Sequence, residues 1–393
     1  MTSGFFTLDE LGLNLQASGR GVSGMEALEE KSVLEINDLA TLEELRPVWE
    51  TLYRQTPRPA FCQTLDWLHL YLKHSGTRPT LRAFCVDEQG ETTGLTVLVE
   101  RWFDRRCELS LPVIGNETCL PLGANPWGNW VPVGEHLRSE MTRRHVIDLR
   151  GLADPEGMTT FSLHAVGWDV KPHPWSGSAA ISLKGTWEQY WSQLSPKLRT
   201  LIEQGEQQLT SLGQTNFVRI RPQRSECSAP LYEPELYDQC LKISLNDECQ
   251  LSQSNSVLND PNRHQFLRDL FPVAWRQEAA DLCLLMVGSQ PIAFRFHTLA
   301  FGHLQTVWTA VDAEYHDLPL ATLLLFRTIK DSFQRHDQEL DLGPMTADVA
   351  RDWNGQFVPL SRFVIGNGGP ILAAQPPEVD RLNRTKHGDG RYT

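Results

Sequence analysis

Three side chains in one stretch of the chain are of types that exchange protons: Asp312, His316 and Asp341. Leu340 and Leu342 flank Asp341 in the short apolar run 339–343. Side chains alternate faces along a strand, so the Asp341 carboxylate points opposite to both leucines. If that face opens on a cleft, partial desolvation raises the pKa and suits the group to accept a proton from an ammonium. The competing role is a structural carboxylate that accepts backbone N–H groups near the strand end, and the residues weigh the two alike. Asp312 and His316 lie in a polar stretch, where a loop role competes with acid–base work. Lys197 and Arg199 fall in the first turn of a helix marked by Ser195 as N-cap and Pro196 at the first helical position. Cations there oppose the helix dipole; such a conflict can mark an anion site, although two solvated side chains are the plainer reading. The tryptophans at 187, 191, 308 and 353 are core residues by default, with Trp353, beyond the last strand, the exception that could serve as a substrate platform.

These groups need elements to place them, and residues 279–357 supply the pattern. It reads strand (281–287), turn (288–290), strand (291–298), turn at Phe301-Gly302, strand (304–310), apolar helix (320–333) and strand (339–343). An earlier copy runs through 81–86, a turn at 87–90, 94–99, 108–111, a poorer helix at 135–144, and 145–151. Both copies close on a strand carrying Asp-Leu with Gly soon after, and both are preceded by two helices. A meander closed by a helix and a further strand, present twice, predicts a duplicated domain. The helices opening the first copy are signalled by a capping-box pattern at Thr41 and Glu44, and by apolar residues from 64 to 72. Between the copies, Thr186 with Gln189 forms another capping box, and the helix after Ser195 runs to Gly213. The expected boundaries are a loose tail at 1–30, domains at 31–180 and 181–373, the second including the long central helix, and a polar tail at 374–393.

A chain of 393 residues, 40% of them hydrophobic, is long enough for two domains with proper cores. The net charge of -13 argues against a large nucleic-acid footprint, which needs a basic face. Local basic clusters (Arg101, Arg105, Arg106; Arg219, Arg221, Arg224) sit among acidic residues and read as solvated surface. The eight cysteines are scattered without a Cys-x-x-Cys and the histidines show no ligand spacing, so no metal site or disulfide framework is expected. No apolar run is long enough for a membrane span and no leader pattern opens the chain, so a soluble, cytoplasmic protein is expected.

The run Leu194-Ser-Pro-Lys-Leu-Arg199 with its long helix resembles the L-S-x-K-x-R helix of the CelD/FemAB-like proteins of the GNAT superfamily of acyl-CoA N-acyltransferases. The similarity continues through Trp308-Thr-Ala-Val-Asp312, Tyr315, Pro319, Leu323 to Leu325, Asp341-Leu-Gly343 and Trp353, and covers most of residues 34–365. It implies an α/β protein of two tandem GNAT-like domains, each a mixed, mostly antiparallel sheet flanked by helices. It implies transfer of an acyl group from acyl-CoA, acetyl or longer, to an amine. The acceptor would be a small molecule such as an amino sugar or nucleotide-linked precursor of envelope or exopolysaccharide metabolism. FemAB relatives instead take an aminoacyl group from tRNA, a use that the acidity of this chain disfavours. A catalytically silent member that binds a ligand or partner is the alternative. Two departures bear on it. Leu320 stands where members commonly have Gly, crowding the approach of a phosphate. Val349-Ala350 stands where they commonly have Tyr-Lys, with Arg351 the nearest replacement for the cation.

The resemblance assigns roles. Leu318, Pro319, Leu320, Ala321 and Thr322, at a helix N-terminus, would hold the pyrophosphate through backbone N–H groups. Trp308 and Thr309, through Ala310, would offer a donor to the thioester oxygen. Asp341, Asp312 or His316 would take the proton of the amine. Lys197, Arg199, Tyr315, Arg351 and Trp353 would face the acceptor.

Overall fold

Both expected meanders are present, and they are joined edge to edge. The computed structural model describes residues 31–76, 78–103, 105–113, 119–222, 234–247 and 261–366; both expected tails and Arg224 lie outside these residues. The first half contains β1 (Ser32–Ile36), α1 (Leu39–Glu44), α2 (Arg46–Gln55), α3 (Leu65–His74), β2 (Thr80–Glu88), β3 (Glu91–Phe103), β4 (Arg106–Ser110), α4 (Trp130–Glu140), β5 (His145–Ala153), α5 (Met158–Ala165) and β6 (His173–Ser182). Helices α6 (Trp187–Gln193) and α7 (Pro196–Ser211) follow. The second half contains β7 (Thr215–Ile220), α8 (Pro234–Asn246), α9 (Pro261–Arg276), β8 (Ala280–Val287), β9 (Gln290–Ala300), β10 (His303–Val311), α10 (Leu320–Arg335), β11 (Glu339–Pro344), α11 (Ala347–Asp352) and β12 (Gln356–Gly366).

The strands form one sheet in the order β1-β2-β3-β4-β5-β12-β6-β11-β10-β9-β8-β7. Only β4 with β5 and β10 with β11 run parallel; the other named neighbours are antiparallel. The order is symmetric about its centre, and the last strand of each half has crossed over. β12 pairs with β5 of the first half, and β6 pairs with β11 of the second. The sheet therefore runs across the boundary expected at residue 180.

One core lies on the face covered by α1, α2, α3, α8 and α9 and spans both halves; Trp67 of α3 meets Phe266 of α9 edge-on at 4.8 Å. On the opposite face, α6, α7 and α10 cover the second half, and α4 with α5 covers the first. Local signals explain most helix starts. Thr64, Thr186 and Ser195 each accept the backbone N–H three residues on. Thr41, expected as a cap, instead donates its N–H to Asp38, which caps α1. Gly205 lets α7 approach α10, since a Cβ there would lie 2.8 Å from Pro319.

The repeat also appears in the buried charges, with signs exchanged. In the first half Glu35 of β1 takes two bonds from Arg82 of β2, and Arg82 reaches Glu140 of α4. At the equivalent register, Arg219 of β7 binds Asp281 of β8 and Asp331 and Ser332 of α10, with Arg221 and Asp337 completing the group. Each clamp ties the outer strands of its half to the helix that crosses them. Arg219→Met should destabilise the protein by about 3–5 kcal/mol, because fully buried Asp281 would lose a partner. A urea unfolding midpoint that barely moves would rule out this role.

Candidate active site

β10 and β11 separate after a short contact. Pairing runs only from His303 with Glu339 to Gln305 with Asp341, and a bulge follows between Thr306 and Trp308. Beyond it, β10 stays with β9 while β11 leaves, opening a V whose crotch is Gln305 and Asp341. The N–H of Val311, on the open edge of β10, is taken by Asp247. Strand alternation puts the Thr309 N–H on the same edge. At the mouth, α10 begins. The Leu320 N–H folds back to the Leu318 carbonyl at 2.8 Å, and the Leu323 N–H bonds Pro319. Ala321 and Thr322 then sit at the helical positions whose N–H groups have no intrahelical acceptor, directed out of a helix of 16 residues.

At the crotch, both bonds to the Asp341 carboxylate fall on one oxygen. The Ser178 hydroxyl and the Gly343 N–H each donate to Oδ1 at 2.7 Å, the latter from a turn with Gly343 at φ +77. Oδ2 has no hydrogen-bond donor among the described residues. Burial pushes this carboxyl above the ordinary aspartate value; the Gly343 N–H and Ser178 hydroxyl partly oppose that, Glu339 adds to it, and Arg58 opposes it. A base works only when deprotonated, so if Asp341 is the base, turnover should rise with pH through the elevated pKa, with an acid limb above the range of a free aspartate. A profile of kcat/KM against pH checks this. For stability the sign is opposite. The folded form holds this proton more tightly than the unfolded chain, so ionising the carboxyl costs nothing below the unfolded pKa and becomes destabilising as pH rises through the folded one.

Its repeat mate gives the contrast. Ser110 registers with Asp148 as Gln305 registers with Asp341, so the two aspartates occupy one position. The exchanged strands place Ala180 opposite Asp341 and Val364 opposite Asp148; two residues earlier on each stand Ser178 and Arg362. Asp148 is fully buried, gripped through both oxygens by Arg362 at 2.7 Å and by Arg150 at 2.8 Å. In the first half an arginine engages the carboxylate; in the second a serine leaves half of it open. Nothing in the sequence reading pointed to Ser178. Aligning the last strands of the two copies would have found it, but their Pro, Gly and Ser content hid them as strands.

The halves differ again on the α10 side of β9. By register, Thr96 and Leu98 of β3 correspond to Arg295 and His297 of β9. Arg295 is 8% exposed and has no acidic partner among the described residues; its Nε is enclosed without an acceptor. Burial pulls its guanidinium down to about 10, so it stays a cation at neutral pH. His297, fully buried, is held neutral by burial and by Arg295, Arg219 and Arg221. The Thr306 hydroxyl donates to the Asp341 carbonyl at 2.8 Å and thus accepts from His297 Nδ1 at 3.2 Å, leaving Nε2 as a bare lone pair. His297 also approaches Asp281 and Cys283, and Glu35 approaches His136 and Glu140, at ligand-like distances. Guanidinium groups of Arg219, Arg221 and Arg82 already bind these carboxylates.

Other expected residues fall elsewhere. Asp312 is buried and caps the turn Ala313–Tyr315, so it serves the backbone. His316 stands in solvent beside Asp317, and Tyr315 packs at the edge of the second core. Trp308 lies within the shared core against Phe294 at 4.8 Å, so only its backbone borders the V. Leu320 is turned into the core at 2% exposure and does not crowd the helix N-terminus. Trp353 is also core, with its carbonyl accepting from Tyr190 at 2.7 Å, and is no platform. Arg351 points outward and pairs with Asp348, so it replaces no cation in the cleft. Lys197 is exposed, whereas Arg199 is partly buried with Nε lacking an acceptor.

The family described as the acetyltransferase (GNAT) domain matches residues 196–351, which contain the V, α10 and Asp341. A structure described as the crystal structure of FemX is 10% identical, with a TM-score of 0.55 over 84% of this chain and 96% of that one. A conserved protein of unknown function from Bacteroides thetaiotaomicron is 10% identical, with a TM-score of 0.52 over 84% of this chain and 97% of that one. A tandem GNAT protein from the clavulanic acid biosynthesis pathway is 11% identical, with a TM-score of 0.43 over 87% and 100%. No curated protein matches the sequence. Residues 196–351 match the GNAT acetyltransferase domain, and the chain as a whole shares the fold of the FemX structure.

Proposed function

We propose that the chain is an N-acyltransferase of the GNAT type that uses acyl-CoA and acylates a small amine, with the V of the second half as its active site. The observation carrying this reading is the half-open carboxylate of Asp341, set against its engaged repeat mate Asp148. Asp341 Oδ2 takes the proton that the attacking amine must lose. Ser178 and Gly343 fix Oδ1 and so aim Oδ2. The bound thioester supplies the activated carbonyl carbon. The resemblance puts the donor to that carbonyl oxygen on β10, around Trp308 to Ala310. The N–H groups of Ala321 and Thr322 and the cation of Arg295 fit a donor that carries phosphates.

The resemblance to FemAB proteins leaves aminoacyl-tRNA as the alternative donor to acyl-CoA. A net charge of -13 favours the smaller donor. Envelope or exopolysaccharide precursors with a primary amine are the acceptors we would try first, in a cytoplasmic setting. No helix among the described residues is long and apolar enough to cross a membrane.

Calorimetry and thermal shift with acetyl-CoA and longer acyl-CoAs test the reading. Ligand at a hundred times its Kd should add about 2.7 kcal/mol of stability. No heat and no shift at millimolar concentration would overturn it in favour of a catalytically silent binding protein. Arg295→Met sharpens the test. Removing a buried cation that has no acidic partner among the described residues should raise the melting temperature, while the shift produced by acyl-CoA should shrink. A variant that loses stability and keeps the full ligand shift would show Arg295 to be structural.

A further inference from the structure

The β3–β4 hairpin of the first half outgrows its repeat mate. Val99 pairs with Ser110 where Thr298 pairs with Gln305, so the first hairpin is four residues longer beyond equivalent pairs. The extension carries Trp102 and Phe103, 55% and 50% exposed, with Arg105 and Arg106 beside them. Cys107 registers with His145, which brings the loop before β5 alongside with exposed Arg143 and Arg144. Trp102 is oriented by an edge-on contact with His145 at 6.0 Å and by its indole N–H donating to Glu100 at 2.8 Å. None of the four arginines has an acidic partner among the described residues. One acid, Asp104, interrupts the run in sequence, and Glu108 lies 3.7 Å from Arg150 further along the strand.

Folding gives no reason for this tip. Two large aromatics stand in water beside four arginines without an acidic partner among the described residues, in a chain that is otherwise strongly acidic. Trp and Phe settle favourably at a membrane–water boundary, and arginine binds phosphate through paired N–H groups. A nucleic acid would call for a basic stripe along a face; here the basic groups ring an apolar apex. We propose that the tip docks the protein on an anionic lipid surface. Trp102 and Phe103 enter the headgroup layer, and Arg105, Arg106, Arg143 and Arg144 bind lipid phosphates. β4 and β10 run in opposite directions across the sheet, so this tip and the N-terminus of α10 lie on the same edge. The inference does not depend on acyl transfer.

Co-sedimentation of the full chain with vesicles tests it, using phosphatidylcholine alone and phosphatidylcholine with about 30% phosphatidylglycerol, an anionic surface of the kind that attracts basic side chains. Binding should require the anionic lipid and weaken steeply with salt. Arg105→Gln with Arg106→Gln should weaken partitioning by roughly thirtyfold, as for two basic groups at such a surface. Trp102→Ser with Phe103→Ser should weaken it too, with unchanged thermal unfolding in both variants. The proposal is overturned if the wild-type chain ignores anionic vesicles, if the variants bind as well as wild type, or if single-stranded RNA outcompetes the vesicles.

Discussion

Asp341→Asn is expected to lower the turnover of amine acylation by at least about a hundredfold, the usual contribution of a positioned general base. Asparagine keeps an oxygen for the Ser178 hydroxyl and the Gly343 N–H but cannot take a proton through the other position. Melting temperature should hold or rise slightly, because burial disfavours the charged form of the wild-type carboxyl and asparagine carries no charge. Measuring kcat alongside thermal unfolding separates the roles. A large loss of stability with retained specific activity would make Asp341 a structural carboxylate and move the search for the base elsewhere. KM for the acyl donor should change little, since the carboxylate acts on the acceptor.

A second variant asks whether the difference between the halves is the cause. Ser178→Arg places on β6 the residue that its repeat mate carries on β12. In the first half Arg362 holds both oxygens of Asp148; in the second the new guanidinium should grip Asp341 in the same way. An engaged carboxylate is a poor base, so turnover should drop about as far as in Asp341→Asn, again at least about a hundredfold. The fold should survive, because the same arrangement already stands in the other half. Retained activity would show that Oδ2 is not the proton acceptor. Ser178→Ala controls for the lost hydroxyl and should cost far less.

Much of this arrangement can be read in the chain itself, and the exceptions have physical reasons. Meander strands such as 281–287 and 291–298 are apolar, bounded by turns and paired with sequence neighbours, so local pattern suffices to find them. Edge strands β1 and β7 bury only part of one side and blend with their surroundings. The exchanged strands are harder still. β6 contains Pro174, Gly177 and several serines, and β12 contains Pro359, residues that weaken a strand signal. Their partners lie far away in sequence, beyond any local rule. The Asp-Leu motif, present in both copies, singles out Asp341. What separates Asp341 from Asp148 is the neighbour delivered by an exchanged strand, and that is a property of topology. Trp353 and Arg351 were misplaced for another reason: α11 turns Trp353 inward and leaves Arg351 in water, which their positions after the last predicted strand did not reveal.

The crossing of β6 and β12 has a consequence in time. A ribosome releases the first half long before residue 356, so a nascent chain holding every residue of β1 to β6 still lacks the strand that closes its own sheet. β5 then presents an open edge, and Asp148 waits for Arg362, 214 residues downstream, with only Arg150 to hold its charge. Neither half can be completed alone, since each borrows its last strand from the other. Stop codons, proteolytic nicks or recombination points between residues 183 and 355 would yield fragments with an exposed edge, prone to pair with other chains. Two such fragments made together should find each other, because each carries the strand the other is missing.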